Sequence, residues 1–130
     1  YVEKPISNGF SAFSIEIIFN EEIRMKQYVF VYLGGNQPSD PEKASKHFDR
    51  YMGWLTSLGD SVVVPTIPLK DTTTVSSDGT IREGGGSAMS GFSIIKADSM
   101  EAALSIAQAC PFLEIGGSLE VSELMEMPVQ

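Results

Sequence analysis

Residues Gly91 to Val121 read GFSIIKADSMEAALSIAQACPFLEIGGSLEV, a strand, a helix and a second strand in succession. Phe92-Ser93-Ile94-Ile95 combines the β-branched and aromatic residues that suit a pleated, packed surface. Asp98, with Glu101 three residues on, has the spacing of a capping box, in which two side chains satisfy N–H groups left unpaired at a helix start. Ala103, Ile106, Ala107 and Cys110 then recur at i, i+3, i+4 and i+7, which makes one face of the helix apolar. Pro111 cannot continue the helix and stops it. After the Gly116-Gly117 pair, a short strand runs from Ser118 to Leu124.

Toward the N-terminus the pattern continues. Tyr28 to Leu33 is apolar on both faces, as expected of a strand inside a sheet, and Gly34-Gly35 closes it. Ser39 or Asp40 can cap a helix whose first turn holds Pro41 and Glu42, residues favoured there by backbone geometry and by the helix dipole. Ala44, Phe48, Tyr51, Leu55 and Leu58 follow with spacings of 4, 3, 4 and 3, which predicts a buried stripe ending at Gly59. Ser61 to Pro65 is a second strand, with Pro65 and Pro68 at its irregular exit. Thr72 to Ser76 and Thr80 to Glu83 flank Ser77-Asp78-Gly79, a hairpin turn, and Gly84-Gly85-Gly86-Ser87 connects onward. The order is βαβ, hairpin, βαβ. It predicts an α+β fold, a ferredoxin-like split βαβ sheet with two helices on one face. The other face of such an apolar sheet needs cover, so a homodimer through the open sheet face is expected.

Composition sets further bounds. A chain of 130 residues with 42% apolar residues is one domain with a real core. Nine basic against 17 acidic residues give a net charge of −8, which excludes a nucleic-acid surface built on clustered Lys and Arg. Cys110 is the only cysteine, so no internal disulfide forms, and a reducing, cytoplasmic setting is predicted. Its place on the apolar stripe reads as a buried structural thiol. Phe10 to Phe19 is interrupted by Glu16 and preceded by a single early cation, Lys4, so it fits neither a signal peptide nor a membrane span. Residues 1–24 are expected to be an extension and residues 25–130 the domain, with Met25 as its natural start. Alternation at Phe13, Ile15, Ile17 and Phe19 leaves open an added strand or arm packed on the domain.

Chemistry-bearing residues are few. His47, the sole histidine, sits on the first helix one turn before Tyr51 and two before Trp54. An imidazole there can serve as a general acid or base, with Asp49 or Asp60 tuning it; equally, it can be a solvent-facing residue among Lys43, Lys46 and Arg50. Tyr51 and Trp54 can line a ligand pocket or belong to the core. Asp60, after Gly59, is a buried carboxylate or a turn residue. Ser87, Ser90 and Ser93 lack a nucleophile elbow. The glycines at 84–86 lack the lysine of a phosphate loop and the helix of a dinucleotide loop, and read as a flexible connector. One His, one Cys and scattered carboxylates show no metal-ligand spacing, so neither metal nor cofactor is expected.

The strand-helix-strand unit, with Cys110-Pro111-Phe112 and Gly116-Gly117-Ser118, resembles the C-terminal half of the YCII-related family, which includes the DGPF-domain proteins. The resemblance runs from Met25 to Met127, strong in the last third and loose between Pro65 and Ser90. Arg82-Glu83-Gly84-Gly85-Gly86 stands where one branch carries its DGPF tetrapeptide, so the chain resembles relatives outside that branch. The resemblance implies a bacterial, dimeric α+β barrel in which two sheets pack face to face. It also implies a cofactor-free acid/base enzyme of the isomerase, lyase or dehalogenating type, acting on a small cyclic or carbonyl compound through a His and Asp pair beside the first helix. His47 with Asp49 or Asp60 is the matching set, although counting back from the second strand puts the family histidine nearer Asp49 to Tyr51. The alternative is a non-catalytic dimeric module that binds a small ligand or regulates, since DGPF relatives often accompany sigma factors.

Overall fold

A computed structural model describes residues 25–126; the expected extension over residues 1–24 lies outside the described residues. The elements are β1 (Lys26–Gly34), α1 (Pro41–Ser57), β2 (Val62–Pro68), β3 (Thr73–Val75), β4 (Ile81–Glu83), β5 (Met89–Ala97), α2 (Met100–Gln108) and β6 (Gly117–Glu123). Short 3-10 segments at Gly59–Ser61 and Pro111–Ile115 follow the two helices. Four strands form one antiparallel sheet in the order β2-β5-β1-β6, the order of a ferredoxin-like sheet, while β3 and β4 pair with each other. The expected α+β architecture is therefore present.

Register explains the core. Tyr28 pairs with Ile95, Phe30 with Ser93 and Tyr32 with Gly91, so these side chains share one sheet face, and alternation makes that the helix-covered face. Tyr28, Phe30, Tyr32, Ile95 and Ala97 pack there with Trp54 of α1, with Ala103 and Ala107 of α2, and with Cys110. On the opposite face, Val64, Ile94, Val29 and Ser122 form one cross-strand row; Ile67, Phe92, Val31 and Glu120 form the next. Val29, Val31, Val64, Phe92 and Ile94 are half-buried on this mostly apolar face, and Ile67 is exposed.

Two local expectations are corrected. The second helix is capped by Ser99, whose hydroxyl accepts from the Ala102 N–H at 3.1 Å, and not by an Asp98-Glu101 box. Asp98 falls one residue too early, which leaves Glu101 in the first turn as a favourable charge without the reciprocal bond. The buried stripe of α1 is also turned. His47 and Trp54 are buried and Tyr51, Leu55 and Leu58 half-buried, whereas Phe48 is 61% exposed. Positions 47, 51, 54 and 58 satisfy helical spacing as well as the expected set does. The register is held by the Trp54 indole, which donates to the Ile106 carbonyl of α2 at 3.1 Å. At the start of α1, the Asp40 carboxylate accepts from the Glu42 N–H, which fulfils the cap expectation.

Cys110 is buried, as its stripe position suggested, and burial pushes its thiol up to about 11. Unfolding restores an ordinary thiol near 9, which ionises more readily, so the stability held by this group is complete below that value and is lost as pH climbs through about 11. The urea midpoint should therefore fall steadily over this alkaline window in the native chain and less steeply in Cys110→Ala. In the folded protein at neutral pH, a thiol reagent should react only at the rate of unfolding.

Candidate functional site

A pocket of about 610 Å³ lies between α1 and the adjoining ends of β1, β2 and β5. Its floor depends on glycine. Phe112, from the 3-10 segment after α2, lies against Gly117 and Gly35, where an added Cβ would stand 2.1 and 2.7 Å from ring atoms. Only a hydrogen leaves room for the ring at these two places. Phe112 then meets Tyr32 edge-on, with ring centroids 5.3 Å apart, and both line the pocket. Gly91 permits a similar approach of β5 to β2, since a Cβ there would lie 2.8 Å from the Ile67 carbonyl oxygen. Phe48 and Met52, one turn apart on α1, supply an apolar wall, which explains why Phe48 is turned out of the core. Arg50 joins this helix to the Phe112 segment by bonding Glu114 through Nε at 2.9 Å and Nη2 at 2.8 Å.

The polar part of the wall is a cluster of hydroxyls. Tyr51 donates to the Tyr32 hydroxyl at 2.9 Å and also meets Thr66; Tyr32 meets Ser93 at 2.8 Å. Ser90 donates to the Tyr32 carbonyl at 3.2 Å. Burial raises the Tyr51 phenol far above the ordinary tyrosine range, so it stays protonated wherever the protein is folded. Tyr51→Phe should leave Tyr32 and Thr66 each short of a partner and lower the unfolding free energy by about 1–3 kcal/mol, as chemical denaturation would read it.

His47 lines the same pocket at 5% exposure, and its Nδ1 is shut away with no hydrogen-bond partner. It is the one buried side-chain nitrogen or oxygen so isolated among the described residues. The solvent-facing alternative for this histidine therefore does not hold. Neither expected carboxylate joins it. Asp49 is exposed and, two residues along the helix, points away from the His47 side. Asp60 is exposed in the 3-10 turn beyond the far end of α1, roughly 20 Å along the helix at 1.5 Å per residue. Tyr51 lines the pocket, whereas Trp54 stands behind it in the core, its ring 5.5 Å from that of Tyr51.

Tyr32, Thr66 and Phe112 were not expected here. The alternation Tyr28, Phe30, Tyr32 was a usable sign that Tyr32 faces the helices, but nothing around Thr66 marked it. Among the described residues no three His, Cys, Asp or Glu side chains converge as a metal site, and no helix is long and apolar enough to cross a membrane.

A split βαβ sheet with a mostly apolar pocket, one buried histidine and a bank of hydroxyls defines a class of small α+β proteins. Within that class, residues 28–128 match the model of the YCII-related domain, and the chain belongs to that family. No curated protein matches it.

Proposed function

We propose that this pocket takes a small uncharged compound and that His47 moves a proton on it, as in a cofactor-free isomerase, lyase or dehalogenating enzyme. The observation that carries the reading is that His47 lines the pocket while its ring keeps a buried Nδ1 with no protein partner. A buried polar atom left without a partner costs about 1–3 kcal/mol, a burden that folding alone gives no reason to retain. Perturbed or unsatisfied groups in clefts are where chemistry is found. The hydroxyl cluster orients the bound molecule and the Phe48, Met52 and Phe112 walls exclude water. The placement of Asp49 and Asp60 outside the pocket favours a second reading, a non-catalytic module that binds the same kind of molecule.

One experiment separates the two. Small cyclic ketones and lactones incubated with the protein in heavy water should gain deuterium beside the carbonyl, and His47→Ala should return the rate to that of buffer. Equal rates for both proteins would leave only the binding reading.

We further propose that two copies pack their open sheet faces together, because Val29, Val31, Phe92 and Ile94 form an apolar surface too continuous to face water. Ile94→Asp should convert a dimer into a folded monomer, measured by light scattering after size exclusion. A native chain that is monomeric throughout would end the proposal.

A further inference from the structure

The hydroxyl wall of the pocket has a direction, which follows from counting protons. A hydroxyl has one proton to give and two lone pairs to accept with. Tyr51 gives its proton to Tyr32, so in its contact with Thr66 the threonine must be the donor. Tyr32, having accepted, has two acceptors within reach of its own proton, Ser93 at 2.8 Å and Thr66 at 3.4 Å, and both lie inside the protein. Ser90 gives its proton to the Tyr32 carbonyl. Each hydroxyl that lines the pocket, on Tyr32, Tyr51, Thr66 and Ser90, thus has its proton committed inside the protein. What these groups can still offer a bound molecule is lone pairs. Burial, which keeps the Tyr51 phenol protonated, keeps the sequence from Thr66 through Tyr51 to Tyr32 intact.

Charge narrows the choice further. The lining contains no Lys, Arg, Asp or Glu, and the whole chain carries −8. A carboxylate or phosphate entering the pocket would give up its hydration without meeting a Lys or Arg and would face lone pairs along the hydroxyl wall, with Gln37 and His47 as the side chains of the lining that can still donate.

We propose that the pocket selects uncharged molecules presenting a hydroxyl donor, a phenol or an enol, and that Thr66 and Tyr51 accept that hydrogen bond. This rests on the reading of the pocket as a small-molecule site and names its ligand class. A carbonyl oxygen placed at the same spot would oppose lone pair to lone pair, so the wall favours the enol form of a compound over its keto form. With His47 in the same wall, the enol is held beside the one group able to exchange a proton with its carbon skeleton.

The test compares p-cresol, 4-methylanisole and benzoate by titration calorimetry on the full chain. p-Cresol should bind on the order of tenfold more tightly than 4-methylanisole, which keeps the shape and lacks the proton, as one net hydrogen bond requires. Benzoate should show no binding. Thr66→Val should reduce the preference for cresol, leaving Tyr51 as the one acceptor, and Thr66→Ser should keep it in full, so a simple loss of fold is told apart from loss of the acceptor. Equal affinities for cresol and methylanisole in the native chain would overturn the donor rule and leave the pocket reading standing. Binding of none of the three compounds would overturn both.

Discussion

Replacing Gly117 by Ala should lower the unfolding free energy by about 1–3 kcal/mol, the usual effect of forcing an extra carbon into a packed interior. For a domain of this size each kcal/mol corresponds to roughly 4–5 °C in Tm. The added Cβ would lie 2.1, 2.4 and 2.7 Å from three atoms of the Phe112 ring, distances that real contacts do not reach. The ring cannot move freely, because Gly35 closes its other approach and Tyr32 meets it edge-on. Phe112 must therefore shift toward the pocket, so ligand affinity should fall together with stability. Combining Gly117→Ala with Phe112→Leu should cost less than the sum of the two single changes, since the smaller side chain relieves the clash. A Gly117→Ala protein with unchanged Tm would show that the Phe112 ring does not press on Gly117.

Replacing His47 by Leu should have the opposite effect on stability. Removing a buried nitrogen that has no partner, and filling its place with a side chain of similar size, should raise the unfolding free energy by about 1–3 kcal/mol. The same variant should lose all proton exchange on a bound compound. Gain of stability with loss of activity is the mark of a residue kept for chemistry at a cost to the fold. Chemical denaturation measures the first half and deuterium uptake the second. A His47→Leu protein less stable than the native chain would mean that the imidazole contributes a bond to the fold.

Much of the scaffold was legible in the residues. The i, i+3, i+4, i+7 pattern over 103–110 marked α2, and β-branched and aromatic runs marked β1 and β5, because these periods follow directly from which side faces the core. The Cys-Pro-Phe and Gly-Gly-Ser signatures turn out to be two halves of one contact, with Phe112 seated on Gly117. The rotation of α1 was harder to read. Two stripes, one through Phe48 and one through His47, fit the same helical period, and a pattern based on hydrophobicity selects the phenylalanine. Only the cavity beside α1 explains why Phe48 is left partly in the open and His47 is buried. Thr66 was beyond reach for a related reason. β2 pairs irregularly with β5, with register shifts between Val62 and Val64 and between Val64 and Ile67, so alternation could not say which way Thr66 points. Carboxylate partners for His47 were chosen by nearness in sequence, and helical geometry places Asp49 on another side and Asp60 past the helix end.

The central claim, that His47 stands in the wall of a ligand site, has a direct measurement, because the chain contains a single histidine. In protein free of any histidine tag, the Hε1 proton of His47 gives one imidazole signal that needs no assignment. Titration with p-cresol followed by NMR should move that signal saturably, with the same dissociation constant that calorimetry returns, and Thr66→Val should weaken both in parallel. Saturable binding of p-cresol that leaves the His47 signal unmoved would place the ligand elsewhere and contradict the account.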